Sequence, residues 1–205
     1  MSNQINLDFN SWSEIIEKGW YYTNERNWGL EVISWYLTTP ANGQNDNWWR
    51  IEYDFLETNY EIISRFDFWW RESWGWLRYR IYLNNWDFIS FQIPHNQSST
   101  NIIRISYYSW STESNIVNWQ SSSTAPLWHY KIKFVLSPNT VLVQLLDDFT
   151  NSVIIENTFT IWSNLNRIEI RRNQWFSSQR TIRVDFVYIT VLWDKKPAWF
   201  LMRNF

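Results

Sequence analysis

Three carboxylates lie close together in IEYDFLE, residues 51–57: Glu52, Asp54 and Glu57. The spacing is E-x-D-x-x-E. In an extended chain, alternate side chains share a face, so Glu52 and Asp54 point the same way. One extra residue bulged out after Asp54 returns Glu57 to that face. Two such carboxylates about 5–5.5 Å apart are what retaining glycoside hydrolysis requires. The competing reading is a solvated strand face whose acids pair with neighbouring arginines, and this is the reading taken for Glu52, Asp54 and Glu57.

The same stretch is crowded with indoles. The chain has 18 Trp, 11 Tyr and 13 Phe among 205 residues, more ring surface than one core of this size needs. Part of that surplus is expected at the surface, where apolar patches mark contact sites. Trp48, Trp49, Trp69, Trp74 and Trp76 fall on or beside the acidic strand, with Arg78 placed to lie over the rings as a cation–π partner. They are the candidate ligand-binding set, able to stack on sugar rings. Trp110, Trp119 and Trp128 fall in or next to polar loops, where core packing explains them poorly, so they are candidate interface residues. The closing segment DKKPAWFLMRNF, residues 194–205, places Trp199, Phe200, Leu201, Met202 and Phe205 after Pro197. A solvated tail is normally polar, so this one is expected to dock on its own domain or on a neighbouring subunit.

The elements that would position these groups are strands. SWSEIIEKG at 11–19 has Ser11 three residues before Glu14 and Gly19 as a stop, which predicts one short helix. Most remaining apolar runs alternate with period two and are rich in β-branched and aromatic residues, the strand signature. They include 29–37, 49–55, 60–70, 76–83, 87–93, 102–108, 128–136, 140–146, 152–161, 166–172 and 180–193. Within 166–172, Ile168 and Ile170 oppose Arg167, Glu169 and Arg171. Within 180–193, Ile182, Val184, Phe186 and Tyr188 oppose Arg183 and Asp185. The wet faces therefore carry arginine and acid in a pattern suited to cross-strand ion pairs. The stretch 109–126 reads as a polar loop. No internal repeat or domain boundary is visible. The expectation is an all-β, two-sheet antiparallel jelly-roll sandwich with one short N-terminal helix, a single domain over 1–205 with the apolar docking tail at its end.

NYEIISRFDFWW, NWDFISFQI, PLWHYKIKFVLSPNTVLVQLLDDFTNSV and TIRVDFVYI follow one another in an order that resembles the concanavalin A-like sandwich, the group that includes legume lectins and laminin G-like domains. LDFNSWSEIIEKGWYY also resembles the way such domains begin. The resemblance implies glycan or protein binding through loops or a sheet face. E-x-D-x-x-E itself resembles the bulged catalytic strand of laminarinase- and lichenase-like glycoside hydrolases on the same sandwich. On that resemblance, Glu52 would be the nucleophile and Glu57 the acid/base, with Asp54 between them. Legume-type lectins hold calcium through clustered Asp and Asn. No counterpart cluster is found here, so neither a metal site nor a cofactor is expected.

Bulk composition narrows the alternatives. A net charge of −2 and a pI near 5.7 lack the basic excess that phosphate binding needs, so nucleic acid is not an expected partner. The absence of Cys removes thiol chemistry and disulfides. No apolar run has the length of a membrane span, and the first residues do not read as a signal peptide. His95 and His129 are far apart in sequence and suggest no relay. The functional expectation is a non-enzymatic structural or attachment protein working through aromatic-rich contacts in a larger assembly, such as a virion or a cell-surface appendage. Other protein subunits, as a homo- or hetero-oligomer, are its expected partners, and glycans are a further candidate ligand. The glycoside hydrolase on Glu52 and Glu57 is the alternative.

Overall fold

A computed structural model describes residues 4–24, 31–33, 36–38, 46–68, 75–94, 102–120, 130–175 and 182–192. Its elements, in chain order, are β1 (Gln4–Leu7), α1 (Trp12–Glu17), β2 (Tyr21–Asn24), β3 (Glu31–Ile33), β4 (Tyr36–Thr38), β5 (Asp46–Asp54), β6 (Tyr60–Phe68), β7 (Gly75–Leu83), β8 (Phe88–Pro94), β9 (Ile102–Ser109), β10 (Thr112–Gln120), β11 (Tyr130–Leu136), β12 (Thr140–Asp147), β13 (Val153–Thr160), β14 (Leu165–Trp175) and β15 (Ile182–Val191).

The strands form two antiparallel sheets. One has eight strands in the order β13-β12-β11-β6-β15-β4-β3, with β1 also paired to β15. The other has seven in the order β10-β9-β8-β7-β14-β5-β2. This is the expected two-layer jelly roll, and the predicted face assignments explain why it closes. Ile132, Phe134 and Leu136 of β11 are buried, while Lys131 and Lys133 stay half-exposed. Ile168 and Ile170 of β14 are likewise sealed between the layers.

The middle of the core is aromatic. Tyr79 of the seven-stranded sheet packs 6.4 Å from Phe66 and 6.2 Å from Phe134, both of the eight-stranded sheet, and 6.2 Å from Phe91 beside it. Its hydroxyl is buried, so it needs a partner. Tyr79 donates to Ser64 Oγ at 2.8 Å, and Ser64 donates in turn to the Phe186 carbonyl at 2.7 Å. One polar chain therefore crosses from sheet to sheet through a dry interior.

The helix forms as its sequence predicts. The Ser11 hydroxyl accepts from the Glu14 N–H at 3.3 Å. The Glu14 carboxylate does not return to the cap residue. It accepts from the Asp8 and Asn10 N–H groups at 3.0 and 2.7 Å, tying the incoming chain to the first turn. Gly19 has φ +80, and the Gly19 and Trp20 N–H groups reach the Ile16 and Ile15 carbonyls, the paired closure that suits glycine at this position.

Three expectations are corrected. Residues 29–37 are not one strand, because β3 and β4 pair with each other as a hairpin. Residues 112–120 are not loop but the edge strand β10, whose apolar alternation is broken by a register shift between Ser114 and Val117 and whose side chains are mostly exposed. In β15 a register shift between Val184 and Phe186 breaks the alternation. Val187 and Ile189 are buried, while Phe186 and Tyr188 move to the outer side and stack at 4.5 Å. The tail at 194–205, with Trp199, Phe200, Leu201, Met202 and Phe205, lies outside the described residues, as do Trp69, Trp74, Trp128, His95 and His129.

Candidate functional site

The outer face of the seven-stranded sheet collects its residues by register. Reading across β2, β5, β14, β7, β8 and β9, one row holds Tyr21, Glu52, Glu169, Arg80, Ser90 and Ser106. The row nearer one end holds Asp54, Arg167, Tyr82, Phe88 and Tyr108, and reaches Glu113 on β10. The row on the other side holds Arg50, Arg171, Arg78, Gln92, Arg104 and, on β10, Asn118.

Glu52 and Glu169 face each other directly across β5 and β14. They are 4% and 1% exposed, so two like charges are buried side by side. Arginines hold them there. Arg167 Nε lies 2.9 Å from Glu52 Oε1, and Arg50 Nε lies 3.4 Å from Glu52 Oε2. Arg80 and Arg50 approach Glu169 at 3.2 and 3.8 Å. Both oxygens of each acid are thus engaged by a guanidinium. At the margin, Tyr21 donates to Asp54 at 2.9 Å. Burial first, and then that carboxylate, pushes the Tyr21 phenol up to about 12.

The acid motif behaves as predicted up to Asp54 and not beyond. Glu52 and Asp54 share the outer face. The β5–β14 ladder runs from Asp46 to Asp54 without a shift and then ends, so the expected bulge does not form there. Glu57 sits in the following loop, where its N–H donates to the Tyr60 hydroxyl at 2.6 Å. It lines a small open cleft of about 190 Å³ with Leu56, Asn84, Pro138 and Asn164.

Next to the ion-pair network lies a row of half-buried rings. Tyr82 and Phe88 are 5.2 Å apart, and Phe88 stacks on Tyr108 at 4.6 Å with an interplanar angle of 14°. Arg167 sits 4.4 Å over Tyr82 and Arg80 sits 4.7 Å over Phe88. The result is a close-packed shelf in which Phe88 and Tyr108 lie face to face, Tyr82 is tilted by 48° to Phe88, and guanidiniums cover Tyr82 and Phe88. Arg78, singled out from sequence, stands two register rows from the rings and donates to the Gln92 side chain. Trp48 and Trp76 both pair through the backbone with Asn173, two register steps beyond the arginines, and Trp49 pairs with Arg172.

Sequence reasoning missed Tyr82, Phe88 and Tyr108, because their proximity comes from pairing between strands distant in the chain. It also missed two surface tryptophans. The loops after β5, β7, β9 and β13 all lie at one end of this sheet, and they expose Leu56, Trp86, Trp110 and Trp162. Trp110 is 90% exposed and has φ 56, followed by Ser111 with φ 98 in a two-residue turn. Trp119 is different: it is half-buried, 5.5 Å edge-on to Tyr130, and packs against the chain's own core.

The architecture has close counterparts among solved structures. A CBM2 module from the evolved Dit of Lactobacillus casei BL23 phage J-1 superposes with a TM-score of 0.65 at 10% identity, covering 94% of this chain and 98% of that one. A legume lectin-like domain from Entamoeba histolytica gives 0.63 at 9% identity, covering 88% and 93%. A Bacillus licheniformis beta-glucanase gives 0.63 at 10% identity, covering 92% and 98%.

The fold is the concanavalin A-like jelly roll.

Concanavalin A-like folds carry both binding modules and hydrolases among these neighbours, and at such identities the likeness concerns architecture alone. No protein-family model matches the chain, and no curated protein matches it in sequence. Among the described residues, no helix is long and apolar enough to cross a membrane, and no group of His, Cys, Asp and Glu has the arrangement of a metal site.

Proposed function

We propose that the chain is a non-catalytic glycan-binding module that serves attachment within a larger assembly, with the outer face of the seven-stranded sheet as its binding surface. The observation that carries this reading is the shelf formed by Tyr82, Phe88 and Tyr108 under Arg80 and Arg167. The outward edges of this ring stack offer apolar contact to pyranose C–H groups, and the adjacent guanidiniums supply hydrogen bonds to hydroxyls. Lectin-like and CBM2 neighbours of the same fold support it.

What weighs for binding over hydrolysis is the state of the acids. Glu52 is covered and held by two guanidiniums, and Glu57 lies past the strand end. A nucleophilic carboxylate must reach the sugar, and this one would first have to leave both partners. Trp86, Trp110 and Trp162 at the loop end are the proposed contacts with neighbouring subunits; the apolar tail at 194–205 is proposed to reinforce them. A virion or a cell-surface appendage is the proposed setting.

The test is affinity electrophoresis of the full chain through a panel of polysaccharides. Retardation by at least one of them, lost in Phe88→Ala and Tyr108→Ala but kept in Trp162→Ala, is expected. Retardation that survives both shelf variants, or release of reducing sugar that Glu52→Gln abolishes, overturns the reading. Light scattering of wild type and Trp110→Ala tests the subunit contact, with a smaller particle expected for the variant.

A further inference from the structure

We infer that residues 193–205 seat on their own domain, in the loop-end cleft beside Leu56, and there complete one apolar contact face with Trp86, Trp110 and Trp162. The inference rests on the proposed contact role of those tryptophans and adds the segment that joins them.

The cleft lies at one mouth of the sandwich. Residues 55–59 cross from β5 to β6, and residues 161–164 cross back from β13 to β14. β6 opens at Tyr60, which pairs with Leu136 of β11 and Val191 of β15, so the β11–β12 turn and the end of β15 reach the same place. Phe55, Leu56, Pro138 and Leu165 give the cleft apolar walls, and Glu57 is the charged residue along it. Leu56 on the first crossing loop and Trp162 on the second are 87% and 93% exposed. Exposed apolar groups gathered in this way mark a contact surface.

Two of the tryptophans at this end stand on backbone that bulky residues avoid. Trp86 has φ 71 and Trp110 has φ 56. Such positions are held against their own preference and cluster at functional sites. The turn around Trp86 is well fastened. The Leu83 N–H donates to the Asp87 carbonyl at 2.8 Å, and the Asp87 carboxylate accepts from the Asn85 amide and the Tyr107 hydroxyl. The Asn84 N–H donates to the Asn164 carbonyl at 3.0 Å, which ties this turn to the second crossing loop. The fold therefore presents indoles along a fixed rim beside the cleft.

The chain leaves the described fold at that rim. Leu192 is exposed, and its N–H donates to the Asn59 carbonyl at 3.0 Å, one residue from Thr58 of the cleft. Trp193, Asp194, Lys195, Lys196 and Pro197 follow. Proline has no N–H and a fixed φ, so it does not carry β15 further along its ladder. The two lysines come within chain reach of Glu57, two residues before Asn59. Beyond the proline, Trp199, Phe200, Leu201 and Met202 supply the apolar surface that the cleft walls and Leu56 lack. A segment tethered beside its site is present there at an effective concentration in the millimolar range. The chain's own tail therefore takes the cleft ahead of a neighbour's.

The chain has no Cys, so engineered pairs report without background. Thr58→Cys is combined in turn with Trp199→Cys, Phe200→Cys, Leu201→Cys and Met202→Cys in the full chain, and each is oxidised at low micromolar concentration. A disulfide needs Cα atoms within about 7 Å. Non-reducing gels and intact mass should show a link within the chain for at least one pair. The same four partners combined with Phe149→Cys, on the β12–β13 turn at the far end, should give none. Circular dichroism melts of each variant confirm folding. Removing residues 193–205 should lower Tm by about 2 °C or more. Links between chains in place of links within them overturn own-chain seating and leave the subunit-contact reading intact. Links to neither site, equal linking to Phe149→Cys, or a Tm unchanged by the removal overturn the inference. A chain that links within itself yet stays monomeric at every concentration upholds the inference and overturns the subunit-contact reading.

Discussion

Replacing Glu169 with Gln keeps the shape of the side chain and removes its charge. Glu169 is 1% exposed, with Arg80 at 3.2 Å and Arg50 at 3.8 Å. At an effective dielectric of about 20 the two lost attractions are worth about 5 and 4 kcal/mol. Repulsion from Glu52, directly opposite at about 5 Å, gives back about 3 kcal/mol. Relief of the buried carboxylate's desolvation returns about 3 kcal/mol more. The net loss is about 3 kcal/mol, at the lower end of the range for breaking a buried ion pair. For a chain of this size that lowers Tm by about 6–12 °C. Urea unfolding followed by tryptophan fluorescence should show a lower midpoint with an unchanged slope. Glu52→Gln, which removes the carboxylate that Arg167 and Arg50 approach at 2.9 and 3.4 Å, should behave in the same way. A Tm within about 2 °C of wild type, or above it, would refute the reasoning that these acids anchor the arginine network. A clear gain in stability for Glu52→Gln would point instead to a carboxylate held at a cost for chemistry.

Tyr79→Phe removes the donor to Ser64 in the core while Ser64 keeps its bond to the Phe186 carbonyl, so a loss of about 1 kcal/mol is expected in denaturant titration. Exchanging Trp110-Ser111 for Asn-Gly should raise stability by about 1 kcal/mol, because both positions have positive φ and that pair adopts it readily. The same exchange should reduce any self-association read by light scattering. Tyr21 and Tyr107 are pushed up to about 12 by burial and then by Asp54 and Asp87, and Tyr188 by its bond to Asp8 and then burial. The unfolded chain releases these protons near pH 10 and the folded one holds them, so stability should fall as pH rises from about 10 to about 12. Absorbance at 295 nm should show a late-titrating tyrosine class that Tyr188→Phe diminishes.

Strand identity and face were legible in the sequence wherever a strand has one dry side. Ile168 and Ile170 against Arg167, Glu169 and Arg171 is such a case, and the ion-paired wet face followed from it. β10 was hidden because an edge strand with mostly exposed side chains has no period to detect. β15 misled because a bulge changes the phase of alternation without any local residue signal. The ring shelf and the arginine row were out of reach for a different reason. Tyr82, Phe88 and Tyr108, like Arg50, Arg171 and Arg78, become neighbours only through register between strands far apart in sequence. The E-x-D-x-x-E spacing was visible, but whether Glu57 rejoins Glu52 depended on a bulge that the ladder to β14 does not contain.

The irregularity in β10 has a consequence for how copies of this protein can meet. β10 bounds the seven-stranded sheet, and its pairing shifts between Ser114 and Val117, with Asn115 at φ 49. Asn157 of the other sheet donates to the Asn115 carbonyl at 3.0 Å, which occupies an acceptor that an incoming strand would need. A kinked and latched margin is a poor template for main-chain addition. Hydrogen-bonded extension is disfavoured at this border, so a sandwich this rich in aromatic residues resists strand-by-strand fibril growth there.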